Sequence, residues 1–149
     1  MENVITKFYE AFSKKDWKTM QSCYHDAIVF EDPAFGILEG EDAKKMWKML
    51  CEQGKDLELR YSDITCSDSR GTASWEADYT FSATKKKVKN KINASFEIKE
   101  GLIIKHSDSF NLRKWAGQAL GFTGFLIGGT KFFKKKMNSK ARYSLKQYN

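Results

Sequence analysis

Three side chains in this sequence have types and spacing that suit proton transfer: Asp32, His106 and Asp108. Asp32 ends a strand-forming run at residues 27–31, of which the first four are apolar, and Pro33 lets no helix pass through it. His106 and Asp108 are two residues apart, so both point to the same face of a strand. Burial raises the pKa of a carboxyl group, and a neighbouring histidine can relay a proton or hold the carboxylate. We therefore predict general acid–base catalysis by these three residues.

A structural explanation competes with this prediction at each position. Asp32 and Glu31 can simply mark a strand that ends in a turn, with both acids in water. His106 and Asp108 can satisfy one another as an inward-facing polar pair, since most buried polar pairs are structural. The sequence leaves both explanations open.

Other kinds of chemistry find little support in the residue pattern. His25 and His106 have no ligand spacing with neighbouring acids, so we predict no metal site. No glycine-rich phosphate loop joins a strand to a helix, and we expect no cofactor. Cys51 and Cys66 have no histidine nearby in a recognisable pattern, so no covalent nucleophile is indicated.

The elements that position the three residues follow from a change in apolar period near Gly54. Before it, helical spacing predicts a helix over residues 4–12, a second helix that is capped by Asp16 and reaches Tyr24, and a third that begins at Gly40. After it, the period falls to two, which predicts four long antiparallel strands. The pattern indicates an α+β fold, in which a curved antiparallel sheet wraps around the N-terminal helices as a cone.

Such a cone leaves space between the sheet and the helices, and the inward-facing side chains are mostly aromatic. We predict an apolar cavity there for a small hydrophobic organic ligand, with Asp32, His106 and Asp108 reaching into it. The residues predicted to bind the ligand are Phe8, Phe12, Phe30, Trp47, Phe96, Phe110 and Trp115.

The net charge of +7 is unevenly distributed along the 149 residues. Nine Lys and Arg and no acid follow Phe110, so the preceding residues are net acidic by two charges. We predict a main domain at residues 1–120, closed by a helix over residues 112–120, and a basic C-terminal extension at residues 121–149. Nucleic acid is not an expected partner, because the extension contains no recognised binding module.

The extension is also rich in apolar side chains. They are Phe122, Phe125, Leu126, Ile127, Phe132 and Phe133. We expect them to pack on the domain or on a second copy of the chain, because exposed apolar patches are rare. Contact with an anionic membrane surface is the alternative that we keep.

The cysteines and the N-terminal residues indicate the cellular compartment that we expect for the protein. The three cysteines form no CxxC pair and leave an odd one over, and no apolar run follows a basic start. We therefore expect reduced thiols and a cytoplasmic protein.

Four segments resemble the nuclear-transport-factor-2-like superfamily and, within it, the SnoaL-like and ketosteroid-isomerase-like group with its polyketide cyclases. They are Phe8-Tyr9-x-Ala11-Phe12-x-x-x-Asp16, Tyr24-His25-Asp26-Ala27, Phe30-Glu31-Asp32-Pro33 and Gly101-Leu-Ile-Ile-Lys-His106-Ser-Asp108. The resemblance covers roughly residues 1–120 and implies the cone fold, a homodimer and C-terminal helices used as lids. This fold carries isomerases, cyclases, dehydratases, epoxide hydrolases and non-catalytic binders.

The resemblance also implies roles for single residues. Asp32 stands where ketosteroid isomerases have the aspartate that abstracts a proton, which implies a general base. His106 and Asp108 resemble a pattern on the last long strand of polyketide cyclases and limonene-epoxide-hydrolase-like proteins, which implies acid–base roles. Phe8 stands where ketosteroid isomerases have an oxyanion-binding tyrosine, and their aspartic acid falls on or near Ala94, so steroid isomerisation of the usual kind is not expected.

One further acid is kept as a minor candidate. Asp78 is close to the register of a second catalytic aspartate in the epoxide hydrolases, but alternation places it opposite in face to Ala77 and Tyr79. The predicted function is thus proton-transfer chemistry of the isomerase, cyclase or lyase type. A non-catalytic binding or carrier module is the alternative.

Overall fold

The computed structural model describes residues 3–148. Within them the chain forms α1 (Val4–Ser13), α2 (Trp17–Ser22), β1 (Tyr24–Asp32), β2 (Gly36–Glu39), α3 (Glu41–Gln53), β3 (Glu58–Cys66), β4 (Arg70–Phe81), β5 (Lys86–Lys99), β6 (Leu102–Ser109), α4 (Leu112–Leu120), α5 (Phe122–Ile127) and α6 (Lys131–Gln147).

The six strands form one curved sheet in the order β2-β1-β6-β5-β4-β3. This confirms the predicted α+β fold, in which a curved sheet and the N-terminal helices enclose the core. The expectation that every neighbouring pair is antiparallel is wrong at one place, because β1 and β6 are parallel. The reason is the path of α3, which carries the chain from one edge strand, β2, to the other, β3. The meander then returns across the sheet and meets β1 in the same direction.

The N-terminal elements differ from the prediction in two details. Asp16 caps α2 by accepting a hydrogen bond from the N–H of Thr19 (3.2 Å), as predicted. The second helix does not reach Tyr24, however, but ends at Ser22. Tyr24 instead begins β1, because its backbone pairs with Ile103 of β6 and its ring is buried in the core. The short strand β2 was not predicted, since four residues are too few to show a clear period.

The core between the sheet and the helices is largely aromatic. Its largest completely buried side chains include Trp47, Tyr9, Phe8, Phe12 and Phe30. Leu145 of α6 belongs to the same core and is 3% exposed. The C-terminal extension therefore shares its core with the residues before it.

The helix α6 packs on the turn that follows Asp32. The Asn138 side-chain amide donates to the carbonyls of Pro33 (2.8 Å) and Ala34 (2.6 Å). The Arg142 guanidinium donates to the carbonyls of Phe35 (2.7 Å) and Ile37 (3.0 Å). We call these two side chains, Asn138 and Arg142, the turn clamp.

Gly36 allows the close approach between this turn and α6. Its φ angle is +74°, a region that favours glycine, and a Cβ atom there would lie 2.8 Å from Nη2 of Arg142. Any other residue at position 36 would therefore strain the backbone and displace the guanidinium.

The apolar side chains of the extension do not all pack within the chain as expected. Phe133 is partly buried against a small cluster around Trp115, but Phe122 and Phe132 are 76% and 75% exposed. Phe125, Leu126 and Ile127 are exposed as well. Burial within the chain is thus wrong for these five residues. The α5 helix packs on α4 through its glycine side, and Phe132 lies at the exposed start of α6.

The glycine contacts show how α5 is oriented. A Cβ atom on Gly124 would lie 2.3 Å from the carbonyl oxygen of Ala116, and one on Gly128 would lie 2.7 Å from the Ala116 Cβ. Phe122, Leu126 and Ile127 thus stay exposed, whereas Phe125, though partly exposed, packs along Gly117 and Arg113 of α4. None of the helices in residues 3–148 is long and apolar enough to cross a membrane.

Candidate active site

Four buried side chains form a continuous line of hydrogen bonds that ends at Asp108. Trp47 Nε1 donates to Tyr24 Oη (2.7 Å), and Tyr24 Oη lies 2.7 Å from Nδ1 of His106. Nε2 of His106 lies 2.8 Å from Oδ1 of Asp108. His106 is completely buried and Asp108 is 5% exposed. The predicted contact between His106 and Asp108 therefore exists, and it belongs to a longer line.

The donors and acceptors of this line fix the position of each proton. Trp47 Nε1 can only donate a hydrogen bond, so Tyr24 Oη is the acceptor there. The Tyr24 hydroxyl group then donates a hydrogen bond to Nδ1 of His106. His106 then carries a proton on Nε2 and donates it to Asp108. If both imidazole nitrogens donated, the Tyr24 proton would have no acceptor among residues 3–148. In this tautomer His106 presents its Nε2–H to the carboxyl group of Asp108.

Aromatic rings surround His106 on several sides. The ring centroid of Phe96 lies 4.4 Å away, Trp47 stacks at 5.8 Å, and Phe30 meets the imidazole edge to face at 5.1 Å. Phe8 also packs edge to face on His106, at 5.5 Å, and Phe12 packs on Trp47 at 5.1 Å. These side chains, predicted to line a cavity, thus contact His106 or one another.

The surface has two depressions, and of these aromatic side chains Phe96 borders the second one. One, of about 230 Å³, is bordered by the start of α1 and the start of β6, and the other, of about 740 Å³, lies over the ends of several strands. Asp32 and Asp108 border neither of them. Neither depression forms an open cavity within the aromatic set, and ligand binding by these side chains stays a prediction.

The register of the parallel pair β1–β6 brings Asp32 next to Asp108. Phe30 pairs with His106 and Glu31 with Ser107, so one further step places the two aspartates side by side. Phe30, His106 and Asp108 are buried, and alternation puts Asp32 on the same inner face. The two carboxyl groups are thus neighbours on adjacent strands.

The environment of Asp32 changes its acidity. Burial raises the pKa of Asp32 to about 7, against the opposing effect of a hydrogen bond from the Phe35 N–H (2.7 Å to Oδ1). The negative charge of Asp108 adds to the rise. A carboxyl group that is half ionised near neutral pH can both accept and donate a proton.

Asp32 also has the structural role that the sequence left open. Its hydrogen bond with the Phe35 N–H closes the turn after β1, and the turn clamp holds that turn from outside. The strand does end in a turn, but only Glu31 is exposed, whereas Asp32 is partly buried. The turn explanation is therefore correct for Asp32, and the expectation that it lies in water is not.

A partly buried phenol, that of Tyr79, lies near Asp32. Nε1 of Trp115 on α4 donates to Tyr79 Oη (2.7 Å). Burial raises the pKa of Tyr79, the hydrogen bond from Trp115 lowers it, and the charge of Asp32 raises it. Tyr79 is therefore within electrostatic reach of Asp32. Phe110 and Tyr79 both contact the main core and the smaller cluster around Trp115, so these residues lie where the two clusters meet.

Two buried polar atoms of the core have no hydrogen-bond partner in the described part of the chain. They are Tyr9 Oη and Trp75 Nε1, on rings whose centroids are 6.4 Å apart. Burial raises the pKa of Tyr9 well above its ordinary value, and the charge of Asp108 contributes. Each unsatisfied buried group costs about 1–3 kcal/mol, and both atoms can donate to an oxygen acceptor.

The sequence did not indicate several of these residues. Tyr24 was assigned to a helix, and Tyr79 was noted only as part of an alternating strand, although its inward position was a usable signal. Asn138 and Arg142 gave no signal, because their partners lie about a hundred residues away. Asp78 lies opposite the inward face, as alternation predicted, and its carboxylate binds Nη2 of Arg60 (2.9 Å).

In the described residues no side chains are arranged as a metal-binding site or as a reactive thiol site. Within residues 3–148, no group of three or more His, Cys, Asp or Glu side chains could hold a metal ion. Cys23 and Cys51 are buried and Cys66 is exposed, and none of the three forms a disulfide. Burial raises the pKa of Cys51 to about 11, which makes its thiolate scarce at neutral pH.

Comparison with protein families gives a match to the SnoaL-like domain over residues 5–106, more than half of the chain. No curated protein matches the chain. Among solved structures, a putative polyketide cyclase from Xanthomonas campestris is 20% identical with a TM-score of 0.62, over 77% of this chain and 93% of that chain.

Two other solved structures have the same fold. An LEH-like epoxide hydrolase from M. tuberculosis is 18% identical with a TM-score of 0.60, over 84% of this chain and 88% of that one. A protein with a ketosteroid isomerase-like fold from Catenulispora acidiphila, in complex with trimethylamine, is 10% identical with a TM-score of 0.67, over 78% and 91%. At these identities the likeness shows the fold alone.

Proposed function

The chain belongs to the SnoaL-like domain family, and from this premise we propose that it transfers protons on a small, mostly apolar organic molecule. The observation that supports the proposal best is the pair of neighbouring aspartates on β1 and β6. One of them, Asp32, has a pKa raised to about 7, and the other is held by His106. The reaction would be of the isomerase, cyclase or dehydratase type.

In the proposed reaction Asp32 acts as the general base. Its ionised form takes a proton from a carbon next to a carbonyl group, and the acid so formed returns the proton to another carbon of the same molecule. No atoms are gained or lost in this isomerisation. His106 acts as a positioning residue, because its Nε2–H fixes the Asp108 carboxylate next to Asp32.

The unsatisfied donors suggest which substrate features would be recognised. Tyr9 Oη and Trp75 Nε1 are buried among aromatic rings, so a ligand oxygen bound there would gain hydrogen bonds that the chain does not supply. A polycyclic ketone would match both the aromatic surroundings and these two donors. Entry of such a molecule requires the aromatic side chains to move apart.

A proton-exchange experiment tests this proposal. Steroid-like, terpenoid and polycyclic ketones would be screened for thermal stabilisation, and those that bind would be incubated in D₂O. NMR would follow deuterium uptake at the carbon beside the carbonyl. We expect Asp32→Asn and Asp108→Asn to slow the exchange about 100-fold or more while thermal stabilisation by the ketone persists.

Asp26→Asn provides the matched control. Asp26 lies on the same strand as Asp32, but its side chain is 98% exposed and pairs with Lys44. This variant should exchange at the wild-type rate. Equal rates in Asp32→Asn and wild type would contradict the catalytic role.

A non-catalytic binding module is the second candidate function. It is favoured by the close packing of the aromatic set and by the turn-forming role of Asp32. In that case Asp32→Asn and Asp108→Asn would leave ligand affinity unchanged and wild type would show no exchange, whereas Trp47→Ala or Phe110→Ala would weaken binding. The homodimer and the cytoplasmic location also belong to the proposal, and sedimentation equilibrium tests the first of them.

A further inference from the structure

We propose that α5 and the first two turns of α6 bind the protein to the surface of an anionic lipid bilayer. The apolar part of this surface consists of Phe122, Phe125, Leu126, Ile127 and Phe132. Its basic part consists of Lys131, Lys134, Lys135 and Lys136. We call the two parts together the docking surface.

The exposure of the apolar part is unusual for side chains of this size. Phe122 and Phe132 are 76% and 75% exposed, and Leu126 is 56% exposed. Phe122 and Leu126 are four residues apart in α5, so they share one face of the helix. Neighbouring apolar side chains that remain in water in an otherwise packed chain indicate a surface that binds a partner.

The orientation of the patch is fixed by packing. Gly124 and Gly128 bring α5 close to Ala116 of α4, while Phe122, Leu126 and Ile127 remain on the exposed side of the helix. Arg113 of α4 reinforces this arrangement, since its guanidinium lies 4.2 Å from the centre of the Phe125 ring and donates to the Phe125 carbonyl (2.9 Å). The packing of α5 on α4 thus holds these apolar side chains in place at the surface.

The charge around the patch selects the partner. Residues 111–149 contain nine Lys and Arg and no acid. Lys131, Lys134, Lys135 and Lys136 are exposed, and none of them pairs with an acid elsewhere in residues 3–148. Aromatic side chains beside unneutralised lysines suit the interface of a bilayer that carries anionic headgroups.

A second copy of the chain fits this surface less well. In a symmetric dimer through the patch, each cluster of lysines would face its own copy, and no acid of the extension would neutralise it. The resulting like-charge repulsion opposes association. The bilayer is therefore the partner that the charge favours.

Vesicle sedimentation of the full chain tests the proposal. We would compare phosphatidylcholine vesicles with vesicles that also contain phosphatidylserine, at low and at high salt. We expect binding only with phosphatidylserine, and weaker binding at high salt because the charges are screened. Lys134→Gln/Lys135→Gln/Lys136→Gln should lower the partition coefficient roughly 100-fold, at about fivefold per lysine. Phe122→Ser/Phe132→Ser should lower it at least tenfold.

Two matched variants distinguish binding through the docking surface from a general effect of removing charge or apolar side chains. Lys89→Gln/Lys91→Gln/Lys99→Gln removes the same charge from exposed positions on β5, and Ile37→Ser removes an exposed apolar side chain on β2. Both should bind vesicles like wild type. An equal loss in the β5 variant, or no binding of wild type to phosphatidylserine at low salt, would overturn the proposal.

The oligomeric state supplies one further outcome. Sedimentation velocity would be run on wild type and on Phe122→Ser/Phe132→Ser. A wild-type dimer that dissociates in this variant would show that the patch binds a second copy, and would overturn the membrane assignment. Unchanged sedimentation together with lost vesicle binding supports it.

Discussion

At the scale of single residues, Asp32 links the stability of the fold to pH. Its pKa is raised from 3.8 to about 7 by burial, so the native state holds a proton that the unfolded chain has already lost between these values. Stability contributed by Asp32 is therefore full below about pH 4 and falls as the pH rises to 7, by on the order of 4 kcal/mol. Above pH 7 the loss is complete.

Urea unfolding at pH 5 and pH 8 measures this effect. Asp32→Asn cannot ionise, and its side-chain oxygen can still accept from the Phe35 N–H. We expect this variant to be more stable than wild type at pH 8 and to depend less on pH. Asp26→Asn, exposed on the same strand, should keep the wild-type dependence. A wild type that gains stability relative to Asp32→Asn as the pH rises would contradict the assignment.

Two buried tyrosines of the same core should respond differently to loss of the hydroxyl group. Tyr24 joins Trp47 to His106, so Tyr24→Phe leaves two buried polar atoms without partners. We expect it to lower the free energy of unfolding by about 2–4 kcal/mol. Tyr9 Oη has no partner within residues 3–148, so Tyr9→Phe should be neutral or stabilising. Chemical denaturation of both variants checks this, and equal losses would be inconsistent with the hydrogen-bond line.

At the scale of elements, the turn clamp couples α6 to the strand that carries Asp32. Asn138→Ala removes two hydrogen bonds that the amide donates to the carbonyls of Pro33 and Ala34. We expect a loss of about 1–2 kcal/mol and faster hydrogen exchange at the Phe35 amide. Ser139→Ala, at an exposed neighbouring position, should change neither quantity. Unaltered exchange at Phe35 in Asn138→Ala would mean that α6 does not hold the turn.

The elements also show how far the sequence could be interpreted. Strands β4–β6 were predictable because each alternates over many residues, and Asp16 has the side chain that caps a helix. The pairing of β1 with β6 was not predictable, because a local sequence pattern does not indicate which distant strands form hydrogen bonds with one another. The turn clamp could not be predicted for the same reason. Arg142 and Phe35 are 107 residues apart, and nothing in the sequence near Arg142 indicates its partner.

The candidate site was predictable to a similar degree. Asp32, His106 and Asp108 were identified from alternation and from the resemblance to a known group. In the structure His106 contacts Asp108, and the register of β1 and β6, extended by one residue, places Asp32 beside Asp108. The extension of the line to Tyr24 and Trp47 depends on how α3 packs over β1, which no period in the sequence encodes. The packing of the aromatic set around the imidazole has the same origin.

At the scale of the whole molecule, α6 should unfold together with the sheet. Leu145 is 3% exposed and belongs to the main core, whereas Tyr143 on the same helix is 66% exposed. We expect Leu145→Ala to lower the free energy of unfolding by about 2–4 kcal/mol and Tyr143→Ala by less than about 0.5 kcal/mol. A single thermal transition should remain in both variants. Two separate transitions would show that the extension folds on its own.

The parallel pairing of β1 with β6 has a consequence for synthesis on the ribosome. Tyr24 and His106 are 82 residues apart, and all of α3 and β2–β5 lie between them in the chain. During translation one edge of β1 therefore stays unpaired until β6 has been synthesised. Closing the long loop between these two strands is slow. The two aspartates cannot become neighbours until β6 has left the exit tunnel, so nascent chains that stop before Leu102 should lack a formed site.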